Sequence, residues 1–355
     1  MNIFEWQKPL WRQLLSDTEN MPHAMIMTGP EGLGKLAFAR TFAARLLCQG
    51  HDAANHSDRL PCGHCTSCTW LASGNHPDFR LVQPEDEDEE GNEQSPPAAS
   101  LRKSGQGTIK VEQIRGLNDF IFIGSHAGGR RIAILSPAEA MNSAAANALL
   151  KVLEEPPVGV YFILITSAWM HLLPTIRSRC RKIIFGCPNQ QLAQQWLAAE
   201  GVKSPSELLQ LVGGAPLQAA NWAEQGRLDA YQKAIETLAD NPDDPVAMAA
   251  KWSSLLKAEQ GFGLPQLVEA TQKWLFDLLL LKTVGELRYH EAWRKKLEGL
   301  VARVSTVGLM SCYQDLLKIR AVVRHPLNTQ LFLEDLATRY LRLLTSGRNK
   351  KPGVI

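Results

Sequence analysis

No apolar run in this 355-residue chain comes near the ~20 residues that a helix needs to cross a bilayer. Runs such as Leu278 to Leu281, within Trp274-Leu-Phe-Asp-Leu-Leu-Leu-Leu, fall far short of that length, so no membrane span is expected. The amino end, Met1-Asn-Ile-Phe-Glu-Trp-Gln-Lys, lacks a basic segment leading into a long apolar stretch. It is therefore not expected to be a secretory signal, and the protein is expected in the cytoplasm. Cysteine is sparse too. Seven thiols are too few for a disulfide scaffold of this length, and four of them crowd between 48 and 68, which in a reducing compartment points to a metal. Acid is scarce outside one run: seven of the 36 acidic residues lie between Glu85 and Glu93, and without them 38 bases face 29 acids. That balance allows proximity to DNA, although solvated Lys and Arg faces are the commoner cause of it.

The chain does have apolar material, 45% of its residues, enough for two or three compact domains. Its first half alternates strand-like and helical patterns, the signature of a parallel sheet covered by helices. His23 to Thr28 reads as a buried strand, followed by a glycine loop and a helix with the stripe Ala39, Phe42, Ala43, Leu46 and Leu47. Further strands are predicted at Phe79 to Val82, Arg131 to Leu135, Tyr161 to Thr166 and Lys182 to Phe185. A helix is predicted from Ser143 to Glu155, stopped by Pro156-Pro157. The segment 84–107 has almost nothing to bury and is expected to be a mobile surface insertion. After Pro188 helical periodicity takes over, broken at Gly213-Gly214-Ala-Pro216 and Asn241-Pro-Asp-Asp-Pro245, with helices predicted over Leu309 to Val323 and Asn328 to Leu344.

Gly29-Pro-Glu-Gly32-Leu-Gly34-Lys35-Leu36 follows a predicted strand and opens a helix, the setting a phosphate-binding loop requires. Its glycines let backbone N–H groups converge on phosphate at a helix N-terminus, and Lys35 can reach the terminal phosphates. A glycine-rich turn with no ligand is the plainer alternative. Leu36 stands where Ser or Thr would place a hydroxyl on Mg²⁺. The strand Arg131 to Leu135 ends in Ser136-Pro137, so the carboxylates expected there for metal and attacking water are missing. Glu139 lies two residues beyond, and a prolyl turn is not expected to swing it back. The cradle is thus expected to hold a nucleotide, if any, without hydrolysing it.

Asn147-Ala-Leu-Leu-Lys-Val-Leu-Glu-Glu-Pro-Pro157 closely resembles the helix and turn of the AAA+ clamp-loader subunits of bacterial DNA polymerase III. Thr175-Ile-Arg-Ser-Arg-Cys180 matches that family's Ser-Arg-Cys motif, and His325-Pro-Leu-Asn-Thr-Gln-Leu-Phe-Leu-Glu-Asp335 resembles a stretch near the end of its collar. The resemblance implies that Arg179 is an arginine finger directed at a neighbour's ATP, with Arg177 a nearby competitor and a plain surface arginine the alternative. Where the motor subunits carry a second-sensor arginine, this chain has Pro216. A finger without a catalytic set of its own resembles a stator more than the gamma and tau motors, and more than delta. The implied architecture is an α/β P-loop domain over 1–186 with a zinc module at about 48–76. A small helical lid at 187–228, a helical collar at 229–345 and a flexible tail at 346–355 follow. The implied role is loading of the sliding clamp onto primed DNA with gamma/tau and delta as partners, in a DNA-directed DNA polymerase assembly but without intrinsic ATPase. The alternatives are an active ATPase using Lys35, and a zinc-dependent DNA-binding module.

Cys62-Gly-His-Cys65-Thr-Ser-Cys68 places three thiols at two-residue gaps, and Cys48 ends the helix after the glycine loop. Four soft ligands suit a tetrahedral, structural Zn²⁺ with no open position. On spacing alone His51, His56, His64 or His76 could replace Cys48, while the resemblance implies Cys48. An iron–sulfur cluster fits less well, because no downstream Cys-Pro follows. Cys180, Cys187 and Cys312 read as packing residues.

Overall fold

Five short runs rich in Ile, Val, Phe and Met build a parallel sheet in the first half of the chain. The computed structural model describes residues 3–17, 21–50, 60–86, 107–122, 129–240, 244–259, 261–323 and 328–345. Two compact units emerge, Met1–Asn189 and Gln190–Ile355. In chain order the first contains α1 (Lys8–Ser16), β1 (Ala24–Thr28), α2 (Lys35–Leu47), α3 (Thr66–Ala72), β2 (Phe79–Val82), β3 (Glu85–Asp86), β4 (Gly107–Thr108) and α4 (Val111–Phe122). It continues with β5 (Arg131–Leu135), α5 (Ser143–Glu154), β6 (Val160–Thr166), α6 (Pro174–Arg179) and β7 (Arg181–Ile184). The strands β1, β2, β5, β6 and β7 lie where the apolar runs predict them, within a residue at each end, whereas β3 and β4 have no counterpart among the predicted strands.

The main sheet has the order β2-β5-β6-β1-β7. Every neighbouring pair is parallel, with Met25 of β1 opposite Ile163 of β6 on one side and Arg181 of β7 on the other. Successive side chains of a strand point to opposite faces. Ala24 and Ile26 accordingly join the buried cluster of α4 and α5, with Leu117, Leu149 and Phe162, while Met25 and Met27 are buried on the other face. There Trp11 of α1 meets Phe38 and Phe42 of α2 edge-on, at 5.6 and 6.0 Å between ring centres. A sheet covered on both faces explains why its strands read as continuous apolar runs rather than alternating ones. α5 begins at Asn142, whose side chain accepts the N–H of Ala145 at 2.8 Å, and stops before the double proline.

The acidic insertion is tied at its base. β3 and β4 form a two-residue antiparallel ladder, Glu85 against Thr108 and Asp86 against Gly107, so the ends of the 84–107 segment are paired rather than loose. Residues 87–106, the tail 346–355, His325 to Leu327 of the collar motif, His51 and His56 lie outside the described residues.

The second unit is helical: α7 (Gln190–Ala199), α8 (Pro205–Leu211), α9 (Pro216–Glu224), α10 (Arg227–Ala239), α11 (Pro245–Ala258), α12 (Leu264–Thr283), α13 (Arg294–Val301), α14 (Thr306–Val322) and α15 (Thr329–Thr345). α11 packs on α15 and α12 on α14. Its core is aromatic and polar at once. Tyr340 accepts the indole N–H of Trp274 at 3.0 Å and donates to the carbonyl of Leu238 at 2.9 Å. Asp277, fully buried, accepts the backbone N–H groups of Arg288, Tyr289 and His290 and the Nδ1–H of His290. His290 Nε2 lies 2.9 Å from the Tyr231 hydroxyl. Each buried polar atom of this chain of contacts has a partner, which is what makes its burial tolerable.

Candidate functional site

The carboxyl ends of β1, β5, β6 and β7 bring four segments to one edge of the sheet, the place where parallel α/β sheets take ligands. The glycine loop leaves β1 here. Gly29 has no room for a side chain, because a Cβ would stand 2.3 Å from the carbonyl oxygen of Phe185, just past β7. Gly34 takes φ +79°, a left-handed value that favours glycine, and opens α2. Lys35 is the first residue of α2, as the loop pattern predicts, but its ammonium turns inward. It donates to the carbonyls of Gly29 at 2.7 Å and Pro30 at 2.6 Å, and only 7% of it is exposed. Burial pushes its pKa down to about 8, against the upward pull of Glu31 and Glu139.

The amino-terminal segment covers the other side of the loop. Gln7, itself buried, donates from Nε2 to the carbonyls of Leu33 at 2.8 Å and Gly34 at 3.2 Å, and the indole N–H of Trp6 reaches Leu33 at 3.3 Å. A Cβ on Gly34 would lie 2.8 Å from the Phe4 ring. Nothing in the sequence marks Phe4, Trp6 and Gln7 for this role, since their partners lie some 27 residues away and no spacing rule links them.

Leu36 occupies the second position of α2, and Ser136 is buried at the end of β5, as the sequence places them. Glu139 corrects the expectation that it stays away. A one-turn 3₁₀ helix over Ala138–Ala140 brings its Oε1 to the backbone N–H of Ser167 at 3.0 Å and to the Ser167 hydroxyl at 3.1 Å. The same hydroxyl reaches Glu31 of the glycine loop at 3.3 Å. Glu139 Oε2 is buried and finds no hydrogen-bond donor among the described residues, so its charge is felt by Lys35 through space. Two carboxylates, Glu31 and Glu139, therefore converge on Ser167 and act on the Lys35 ammonium.

Arg179 ends α6 and is exposed. Its guanidinium donates to Glu154 Oε1 at 2.5 Å and to the carbonyl of Thr175 at 3.1 Å, which joins the two motifs singled out in the sequence, Leu-Glu-Glu-Pro-Pro and Ser-Arg-Cys. Arg177 is engaged differently, over the Trp169 ring at 5.6 Å and against Met170 Sδ at 3.3 Å. Pro216 is buried at the first turn of α9 in the second unit.

The four thiols of Cys48, Cys62, Cys65 and Cys68 gather in one place, all within 4.8 Å of one another. Cys48 Sγ lies 3.5 Å from Cys62, 3.7 Å from Cys65 and 3.6 Å from Cys68, and Cys62 lies 3.9 Å from Cys68. These separations are too long for disulfides, and they match the edges of about 3.8 Å that a tetrahedron with metal–sulfur bonds of about 2.3 Å requires. Backbone N–H groups of Cys62, Cys65 and Cys68 point at sulfur at 3.4–3.5 Å. Gly50 closes the wall, since a Cβ there would stand 2.9 Å from Cys62 Sγ. Burial pushes the Cys65 thiol up, but N–H donors and neighbouring thiols outweigh it and bring it down to about 6. The donor set thus fits a soft tetrahedral cation. His64 turns to the carbonyl of Cys62 and His76 is bound elsewhere, to Ser67 and Asp78, so neither ring nitrogen set faces the thiols. Cys180 is buried, with its thiol pushed up to about 12, and Cys312 is half-buried. Cys187 is exposed, contrary to its reading as a packing residue, because it follows β7 out of the sheet.

The family model described as DNA polymerase III, delta subunit, matches residues 6–188. A Pseudomonas aeruginosa protein named DNA polymerase III subunit delta' is 33% identical over 98% of this chain and 99% of its own. The Escherichia coli protein of the same name is 29% identical over 98% of each. Among solved structures, a gamma subunit-related protein of Thermotoga maritima aligns over 94% of this chain and 99% of its own, at 18% identity and a TM-score of 0.44.

Proposed function

This chain belongs to the family of DNA polymerase III delta' subunits, and from that premise we propose that it is the non-catalytic stator of the bacterial clamp loader. It is an AAA+ subunit that supports ATP hydrolysis in a neighbour while the sliding clamp is placed on primed DNA. The observation that carries this reading is the opposite condition of two cations. Lys35 is buried and spent on its own loop, beside two carboxylates, whereas Arg179 is presented at a helix end. Its partner Glu154 is half exposed, and a surface pair of this kind holds by about 0–1 kcal/mol. A phosphate can take over a guanidinium held so weakly, and the planar fork suits a transferring phosphoryl group.

Residues 187–228 act as the lid and 229–345 as the collar that joins gamma/tau and delta, in the cytoplasm. Cys48, Cys62, Cys65 and Cys68 hold a structural zinc, which clips the loop after α2 and does no chemistry. Gly29, Gly32, Gly34 and Lys35 keep the shape of a nucleotide cradle without turnover. In the reconstituted complex, Arg179→Ala should leave assembly intact and remove the adjoining site's share of the DNA- and clamp-stimulated ATPase, since a finger contributes ~10³-fold or more to its site. Unchanged turnover would exclude the finger role. The nearness of Glu139 to Lys35 favours one second reading, an ATPase with an unusual acidic residue. That reading requires Lys35-dependent hydrolysis by the chain alone.

A further inference from the structure

We propose that Ser67 and His76 are positioning residues for the cysteine cluster, holding Cys48 and Cys68 in place before a metal arrives. The proposal rests on the reading of that cluster as a metal site. Both side chains are buried, at 1% and 0% exposure, in a chain of hydrogen bonds with a single direction. The backbone N–H of Asp78 donates to His76 Nδ1 at 3.0 Å. That contact fixes the tautomer, because Nδ1 must accept and the proton must sit on Nε2. Nε2 lies 2.7 Å from Ser67 Oγ and donates to it, and Ser67 in turn donates to the carbonyl of Leu47 at 2.7 Å. An N–H can only give and a carbonyl can only accept, so each group between the two ends has one role. Burial lowers the pKa of His76, in keeping with the neutral ring the chain needs.

The two ends of this chain matter. Leu47 is the last residue of α2, one of the carbonyls that a helix terminus leaves without an internal partner, and Cys48 is the next residue. Ser67 immediately precedes Cys68 on α3. The Ser67–Leu47 bond therefore sets the separation of the two backbones that carry Cys48 and Cys68, whose sulfurs stand 3.6 Å apart. At its other end the chain is anchored beside β2, where Asp78 is buried against Arg131 at 3.4 Å. Among the described residues, Cys62 and Cys65 show no comparable bond to the sheet: beyond the sulfur and N–H contacts of the cluster, the Cys62 carbonyl meets His64 and the Cys65 carbonyl accepts the N–H and hydroxyl of Thr69. The half of the site that carries Cys48 and Cys68 is thus linked to the segment that enters β2. Such support around a metal site typically changes affinity by about 10–100-fold.

The test is zinc retention by the full chain against a chromophoric chelator, with the cobalt(II) spectrum as a second readout. Ser67→Ala removes the hydroxyl and changes little volume. His76→Asn reaches only as far as Nδ1, whereas His76→Gln extends an amide N–H to the position of Nε2. Ser67→Ala and His76→Asn should lose zinc about tenfold more readily, and His76→Gln should stay within about twofold of the parent. All three should keep the tetrahedral thiolate spectrum with cobalt. Parent-like affinity in Ser67→Ala and His76→Asn would overturn the proposal. So would a His76→Gln variant as weak as His76→Asn, since ring packing and not the hydrogen bond would then be at work. A parent chain that takes up no zinc would remove the metal reading and this proposal together, whereas a parent that holds zinc beside unaffected variants removes this proposal alone.

Discussion

The glycine loop and the cysteine cluster sit at opposite ends of α2 and differ in what their polar groups do. In the loop, the polar side chains already have protein partners: Lys35 on two carbonyls, Gln7 on two more, Glu139 on Ser167. In the cluster, four thiols face one another at distances that satisfy none of them well, yet fit an ion at their centre. Four soft donors gathered in one place and braced by backbone N–H groups suit a soft cation.

The sharpest test of this contrast is to take the metal away. A Cys65→Ser chain, or the parent stripped by a chelator, should lose several kcal/mol of stability in the first unit, because structural zinc contributes of order 10 kcal/mol where folding depends on it. A thermal melt that does not move would break the comparison on the cluster side. The loop side is tested by nucleotide titration. The parent chain should bind ATP more weakly than about 1 mM, and a Glu31→Gln, Glu139→Gln double variant should gain about tenfold, as removal of two nearby carboxylates predicts. Tight binding by the parent would show that the loop opens easily.

The smallest effect concerns the buried ammonium itself. The folded pKa of Lys35 lies near 8, below its ordinary 10.5, so above pH 8 the folded chain gives up a proton that the unfolded chain keeps. Stability relative to a Lys35→Met variant should therefore rise between pH 8 and 10.5, by on the order of 1 kcal/mol at pH 9. Denaturant titrations at pH 7 and pH 9 measure it. A flat difference would mean that the ammonium is better solvated than its position implies.

The strands, the glycine loop and the cysteine spacing were legible in the sequence because each is a local pattern: an apolar run, a strand-to-helix glycine turn, two-residue gaps. Cys48 could be joined to the other three cysteines only through the family resemblance, and the structure brings it there. The missed contacts are long-range ones between side chains of unremarkable type. Gln7 to Gly34, Glu139 to Ser167 and Ser67 to His76 each depend on how separate segments meet at the sheet, and periodicity carries no record of that. The place of Glu139 escapes a reading of the sequence for a further reason. Counting residues past a strand end measures chain length, while a 3₁₀ turn sets direction.

Helix α2 carries Lys35 as its first residue and delivers Cys48 just after its last, Leu47. Thirteen residues at 1.5 Å each make a rod of about 20 Å, and each residue turns the helix by about 100°. Substitutions along the rod leave both ends facing as they do. Insertion or deletion of one residue does not: it swings Cys48 a quarter-turn away from its three companions, or the glycine loop away from the sheet edge. Drift in this segment is therefore tolerated in spelling but not in length.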